Sequence, residues 1–245
     1  MKYWDRAWNP VTGCTPCSEG CDHCFARALI EKRLKAEPNL TFDVRVNRKQ
    51  LDKRFDQNKE LIMVCSQGDL FHPEVPDKII DAILRKCYEN RNKKFLFLTK
   101  RDERLKAYFD NPNVLTRIKG RHYRFNLDNM AFGVSCESPR YVTRIDNLAA
   151  CKHVKKRFVA FEPLLADGDY ISHCDNIDWI VVGCESGDNA RPCQPEWIER
   201  IVTGAKAKGI PCFVNNINLN GKITDYLADL PEIFRQNERI FDDKK

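Results

Sequence analysis

The chain predicts an α/β fold in which parallel strands form a partial or nearly closed (β/α) barrel. Short, almost wholly apolar runs recur along its 245 residues, and the stretches between them carry helical spacing. About seven such units follow one another with no linker-like segment between them. One domain over residues 1–245 is therefore expected, with a cysteine-bearing loop at 8–25 and a polar tail from about 217 to 245. An open, doubly wound sheet is the alternative. No G-x-G-x-x-G follows any strand, so the usual dinucleotide site is not expected.

The elements read off in order. Phe25 to Ala36 puts Ala26, Leu29, Ile30 and Leu34 on one helical face, and Pro38 ends it. Phe42 to Val46 alternates like a short strand, and a charged stretch follows to Lys59. Leu61 to Cys65 is a buried strand, followed by the polar loop Ser66 to His72 and a helix from about Pro76 to Glu89. Phe95 to Leu98 is the next strand, ending in Thr99-Lys100-Arg101, with a helix near Arg104 to Phe109. Asn111 to Asp128 reads as irregular and basic. Met130 to Ser135 is a strand ending at Cys136-Glu137, with a helix from about Pro139 to Ala150. Arg157 to Phe161 ends at Glu162-Pro163, and Trp179 to Gly183 ends at Cys184-Glu185-Ser186. A helix from about Pro195 to Lys208 stops at Gly209. Pro211 to Val214 is the last strand, leading to Asn215-Asn216, and a short helix is expected near Ile223 to Leu227.

Composition narrows the class. With 42% hydrophobic and 31% charged residues the chain can bury a core, and its net charge of +6 permits a nucleic-acid or phosphorylated partner without requiring one. Met1 to Asn9 carries Lys2, Asp5 and Arg6 and no apolar core, unlike a secretory signal. No apolar run approaches the roughly 20 residues that cross a bilayer. A soluble, cytoplasmic, reduced protein with no membrane partner is the expectation. Eight of the twelve cysteines (Cys65, Cys87, Cys136, Cys151, Cys174, Cys184, Cys193 and Cys212) are scattered, several in apolar runs, as buried free thiols are.

The other four crowd into eleven residues: Cys14-Thr15-Pro16-Cys17-Ser18-Glu19-Gly20-Cys21-Asp22-His23-Cys24. In a reduced compartment such thiols point to a metal centre rather than to disulfides. Cys17, Cys21 and Cys24 read C-x3-C-x2-C, the spacing by which radical S-adenosylmethionine enzymes give three thiolates to a [4Fe–4S] cluster and leave one iron open. Adding Cys14 gives C-x2-C-x3-C-x2-C, a four-thiolate set that zinc would also accept. His23 is a weaker candidate for a mixed zinc site.

Function in a parallel barrel gathers at the carboxyl ends of the strands. Here those ends are polar: Ser66, Asp69, Thr99, Lys100, Arg101, Ser135, Glu137, Glu162, Glu185, Ser186, Asn215 and Asn216. Any one could simply mark where a strand leaves the core. Together they suit a ligand bearing both an ammonium and a carboxylate, such as the methionyl part of S-adenosylmethionine. Lys100, Glu162 and Glu185 are the candidate cofactor contacts. His72 is a candidate ligand or base, although a loop histidine is more often neither. Arg117, Lys119, Arg121, His122 and Arg124, with Tyr123 and Phe125 interleaved, could track a phosphate backbone or form a solvated loop.

These segments resemble a radical-SAM-like, three-cysteine-motif family of largely uncharacterised phage and bacterial proteins. The matching residues are Trp8-Asn9-Pro10-Val11-Thr12-Gly13-Cys14, Gly20-Cys21-Asp22-His23-Cys24-Phe25-Ala26, Asp69-Leu70-Phe71-His72 and Leu98-Thr99-Lys100-Arg101. They continue through Gly133-Val134-Ser135 with Glu137, Phe161-Glu162-Pro163-Leu164-Leu165, and Val182-Gly183-Cys184-Glu185-Ser186-Gly187 with Ala190-Arg191-Pro192. The resemblance implies a radical-SAM-type barrel with a cluster in the N-terminal loop. Its common spacing, C-x6-C-x2-C, would use Cys14, Cys21 and Cys24 and make Cys17 an addition. Asn215-Asn216 and Cys184 depart from its usual Lys-Gln and Gly-Gly-Glu.

The expected function is that of an iron–sulfur enzyme. A [4Fe–4S] cluster, fed by an electron donor, would cleave S-adenosylmethionine reductively to a 5′-deoxyadenosyl radical, which would act on a nucleotide or nucleic acid. Cys21 and Cys24 are the firm ligands. Spacing narrowly favours Cys17 as the third, and the resemblance favours Cys14. The alternative is a zinc- or cluster-stabilised nucleic-acid-binding protein without radical chemistry.

Overall fold

The computed structural model describes residues 2–34, 41–119, 127–187, 189–219 and 221–242. The chain enters through β1 (Arg6–Trp8) and β2 (Val11–Thr12), crosses the cysteine loop into α1 (Phe25–Leu34), and returns by β3 (Arg45–Val46) and α2 (Arg48–Asp52). A regular alternation follows: β4 (Leu61–Val64), α3 (Asp77–Glu89), β5 (Lys94–Thr99), α4 (Asp102–Asp110), α5 (Val114–Lys119), β6 (Met130–Ser135) and α6 (Thr143–Ala149). It closes with β7 (Arg157–Phe161), β8 (Trp179–Gly183), α7 (Pro195–Ala207), β9 (Cys212–Leu219) and β10 (Lys222–Thr224).

Eight strands form one sheet in the order β1-β4-β5-β6-β7-β8-β9-β10. Every pairing is parallel except that of β9 with β10. Among the described residues no pairing joins β1 to β10, so the sheet has two edges and barrel closure is not seen.

Which side the helices take distinguishes the two predicted architectures. Ile80, Ile83 and Leu84 of α3, Leu105 and Phe109 of α4, Ile145 and Leu148 of α6, and Ile198 and Val202 of α7 all pack into one cluster against one sheet face. Each such side chain contributes about 1.5–3 kcal/mol by leaving water. Among the described residues, the cluster on the other face includes no helix residue. There Met63, Leu96, Ala131, Phe158, Ala160, Trp179, Val181 and Phe213 form a second cluster, joined by Tyr3 and Ile240 from the two ends of the chain. The sheet is thus wound on one side, as in a barrel, and not doubly wound.

Tyr3 packs edge-on against Trp179, which opens β8, and Phe213, next to the start of β9. The terminal segments therefore fill the inner face at the amino ends of the strands. Further along, the inner positions become small. Gly133 leaves space for the Phe158 ring, which a β-carbon there would approach to 2.5 Å. Two residues beyond the apolar inner positions the same alternation brings Lys100 and Glu162 to the carboxyl ends.

Several expectations are corrected. The helix expected near Ile223–Leu227 begins instead as β10, because Lys222 pairs with Leu219 across a tight turn at Gly221 (φ 81°). The tail is not merely polar: Phe234 and Ile240 are buried, and Asn237 bridges to Phe213. Within Asn111–Asp128 lies α5, which buries Val114 and Ile118. Its Arg117 is bound to Asp81 at 3.0 Å rather than standing free for phosphate. Arg121, His122, Tyr123, Arg124 and Phe125 lie outside the described residues, as do Ala36 and Pro38 at the expected end of α1. The expected helix at Pro139–Ala150 is a short 3-10 turn at Pro139–Tyr141 followed by α6. β1, only three residues long, carries too few positions for its periodicity to be read.

Candidate metal centre

Because β1 is parallel to β4, the chain leaves it at the carboxyl ends of the strands, and the cysteine loop lies across them. Asn9 starts the crossing by accepting from Ser66 Oγ and from the Gln67 N–H, both at 3.2 Å. Gly13 then takes φ 83°, and a β-carbon there would lie 1.9 Å from the Asp43 carbonyl oxygen, so no other residue fits.

Four strand ends hold the loop. After β4, His72 Nε2 meets Thr15 Oγ1 at 2.8 Å. After β5, Arg101 donates to the Thr15 carbonyl at 2.8 Å and to Cys14 Sγ at 3.4 Å. Its guanidinium is fixed by Asp69 at 2.9 Å, and Asp69 also accepts from Thr99. After β6, Glu137 accepts from Ser18 on one oxygen and from Arg144 at 2.6 Å on the other, while Ser138 donates to Glu19 at 2.9 Å. After β8, Glu185 pairs with His23 Nδ1 at 2.7 Å, and Arg191 reaches the Glu19 carbonyl at 2.9 Å and Asp22 at 3.3 Å.

The loop thiols are unequal. All four are free, with Cys17 exposed and Cys14, Cys21 and Cys24 partly buried. Cys17 is hydrogen-bonded to Cys21, and that bond, with help from the Lys100 charge and against burial, draws Cys21 down to about 4. The same neighbour pushes Cys17 up. Burial and nearby Asp69 raise Cys14, and Arg101 offsets part of this. Cys24 sits at the start of α1, its carbonyl accepting from the Ala28 N–H at 3.0 Å. Among the described residues no three His, Cys, Asp or Glu side chains converge as metal ligands do. The donor set nevertheless fits an iron–sulfur centre: free thiols beside Lys100 and Arg101, whose charges offset those of thiolates.

The predicted cofactor contacts occupy different positions. Lys100 Nζ lies 3.9 Å from Glu137 Oε1. Glu162 accepts from the Asn215 side-chain amide; burial raises its carboxyl, and Asn215 and Lys100 oppose that rise. Glu185 has both oxygens taken by Arg191 and His23. Burial works against its ionisation, but the Arg191 hydrogen bonds outweigh it and hold Glu185 at about 2.

Sequence reasoning assigned no role to Glu19, Arg144 or Arg191. Arg191 lay within the matched segment after Glu185 and could have been found there. Glu19 and Arg144 carry no such signal: the partners of Glu19 lie far away in sequence, and Arg144, 7 residues from its partner Glu137, falls outside every matched segment.

A family model described as "Protein of unknown function (DUF5131)" matches residues 1–222. The chain belongs to the DUF5131 family. That match takes in the cysteine loop and every strand end described above. No curated protein matches this DUF5131 chain. Among solved structures it is similar to a spore photoproduct lyase complexed with dinucleoside spore photoproduct, at 12% identity and TM-score 0.42, over 72% of this chain and 55% of that one. A mutant of that lyase with bound AdoMet and the same dinucleoside matches at 12% identity and TM-score 0.38, with the same coverage. The chain spans about half the length of these structures. Among the described residues of this DUF5131 protein, no helix is long and apolar enough to cross a membrane.

Proposed function

We propose that the protein is an iron–sulfur enzyme of the radical S-adenosylmethionine type, acting on a nucleotide or nucleic acid. The observation that supports this best is the cysteine loop held across the carboxyl ends of parallel strands, next to the polar inner positions Lys100, Glu162 and Asn215. When bound, the [4Fe–4S] group would supply the reducing electron that cleaves S-adenosylmethionine to a 5′-deoxyadenosyl radical.

We assign the thiolate ligands to Cys14, Cys21 and Cys24. Cys17 is the exposed member of the four, whereas Cys14 is fixed by Arg101 at the mouth, and a cluster ligand must be held and shielded. Lys100 and Glu162 are assigned to the carboxylate and ammonium of the methionyl group, since each stands at an inner position at the carboxyl ends of the strands. Glu185 is assigned to positioning, because Arg191 and His23 already occupy it. The net charge of +6 and the resemblance to phage proteins support the nucleotide substrate class.

Anaerobic purification tests the reading. Iron and sulfide near four per chain, with absorbance near ~410 nm, are expected, as is release of 5′-deoxyadenosine after reduction with S-adenosylmethionine. One zinc and no iron would support a zinc-stabilised binding protein instead. A loaded, reduced protein that never forms 5′-deoxyadenosine would rule out the enzyme.

A further inference from the structure

Residues 48–54 take no part in the metal centre and carry four cations, Arg48, Lys49, Lys53 and Arg54, against one carboxylate, Asp52. All four cations are exposed, and among the described residues none has a carboxylate partner. Arg140, Lys155 and Arg200, on other parts of the surface, are each paired with a carboxylate. Like charges this close together repel one another, and a polyanion relieves that repulsion.

The cations stand on a fixed platform. Asn47 caps α2 by accepting from the Gln50 N–H at 3.2 Å. Leu51 and Phe55 pack onto the core, where Phe55 meets Trp8 edge-on. The Gln50 carbonyl accepts from Trp8 Nε1 at 3.0 Å, and the Leu51 carbonyl accepts from Lys86 Nζ at 2.6 Å. With Leu51 and Phe55 held against the core, the four cations are left on the solvent side, next to β1 at the edge of the main sheet.

The same surface leads to the mouth. Arg45 of β3 is in register with Thr12 of β2, two residues before Cys14, and the Cys14 N–H donates to the Phe42 carbonyl at 3.1 Å. Arg27 of α1 lies over the Phe42 ring, 5.1 Å from its centre. At the start of α1, directly after Cys24, Phe25 stands 62% exposed.

We propose that residues 48–54 form a docking face for single-stranded nucleic acid, with phosphates on Arg48, Lys49, Lys53 and Arg54 and one base stacked on Phe25 at the mouth. Unpaired cations suit a phosphate backbone, and an exposed aromatic ring suits an unstacked base. A duplex keeps its bases stacked and offers Phe25 none. An anionic membrane does not fit, since no large apolar side chain of residues 48–54 is exposed to enter it. The proposal narrows the substrate class of the iron–sulfur reading and rests on it for nucleic acid as the polyanion, but binding itself requires no cluster.

The test uses the full chain as purified, with its iron content measured, and fluorescence anisotropy of labelled oligothymidylate and oligouridylate. Expected is binding to at least one of them that weakens about 50-fold between about 50 and 200 mM salt, as a log–log slope near −3 for four phosphate contacts requires. Arg48→Gln with Lys49→Gln, or Lys53→Gln with Arg54→Gln, should each flatten that slope by about 1.4. Lys155→Gln with Arg200→Gln removes the same charge elsewhere and should leave the slope unchanged. Phe25→Ala should weaken binding by about 5- to 150-fold at an unchanged slope, the range of one base–aromatic stack. Circular dichroism checks that each variant folds; should one not, the wild-type salt slope and the comparison with duplex decide. No binding to either oligomer, an equal effect in the Lys155 and Arg200 control, duplex bound as tightly as single strands, or polyglutamate or anionic vesicles bound in their place would overturn the proposal. Oligomer binding without 5′-deoxyadenosine release would remove the enzyme and keep the docking face, and release by a protein that binds no oligomer would do the reverse.

Discussion

Gly20 lies so close to Glu137 that a β-carbon on it would come within 2.3 Å of Glu137 Cγ. The glycine belongs to the cysteine loop and the glutamate follows β6, and they are 117 residues apart in sequence. Glu137 cannot retreat, because it is fully buried and bonded to Arg144 and Ser18. Loop position and strand end are thereby locked to each other.

Gly20→Ala should lift the loop off the strand ends. A destabilisation of about 1–3 kcal/mol is expected from overpacking, together with reduced iron after anaerobic reconstitution. Urea unfolding and iron analysis on the same preparation check both. Wild-type stability and wild-type iron would show that Glu137 yields after all.

Glu137→Ala removes the carboxylate and leaves the Arg144 side chain, 7% exposed, with the more distant Asp102 at 3.8 Å. Breaking one half of a buried ion pair costs about 3–5 kcal/mol. Arg144 also donates to the Ser135 carbonyl at 2.9 Å, which places the expected loss toward the lower end of that range. Denaturant unfolding of the variant reads it directly.

Single serine substitutions separate the ligands. Cys14→Ser, Cys21→Ser and Cys24→Ser should each lose the ~410 nm band of the reconstituted protein, and Cys17→Ser should keep it. Loss in Cys17→Ser with retention in Cys14→Ser would move the third ligand to Cys17.

Acid should loosen the grip from β8. Arg191 holds Glu185 at about 2, below its ordinary 4.5, so the folded state favours the ionised form. The resulting stability is fully present above the ordinary value and is lost as pH falls through about 2. Unfolding of wild type and Glu185→Gln, compared across this range, should give a stability gap that is steady above pH 4.5 and narrows toward 2. A gap independent of pH would show that folding does not favour the ionised form of Glu185.

Much of the scaffold was legible in the chain itself. Strands such as Met130–Ser135 and Trp179–Gly183 are almost wholly apolar because both sheet faces are covered, and that composition marks them without help from distant residues. The helix at Asp77–Glu89 shows its buried stripe in the same way. Short elements gave no such signal. Three residues of β1 carry no period, and β10 exists only because β9 supplies a partner.

By itself the sequence determined the crowding of thiols in one loop, the polar character of the strand ends and the α/β rhythm, since each is a property of neighbours along the chain. Only the tertiary structure decided that the helices cover one face, that no pairing among the described residues joins β1 to β10, and that Ser18, Glu19, Gly20 and His23 are held by Glu137, Ser138, Arg191 and Glu185. Those contacts join residues more than a hundred positions apart. Hydrogen bonds and ion pairs at that separation depend on where the folded strands end, which no local pattern of residues encodes.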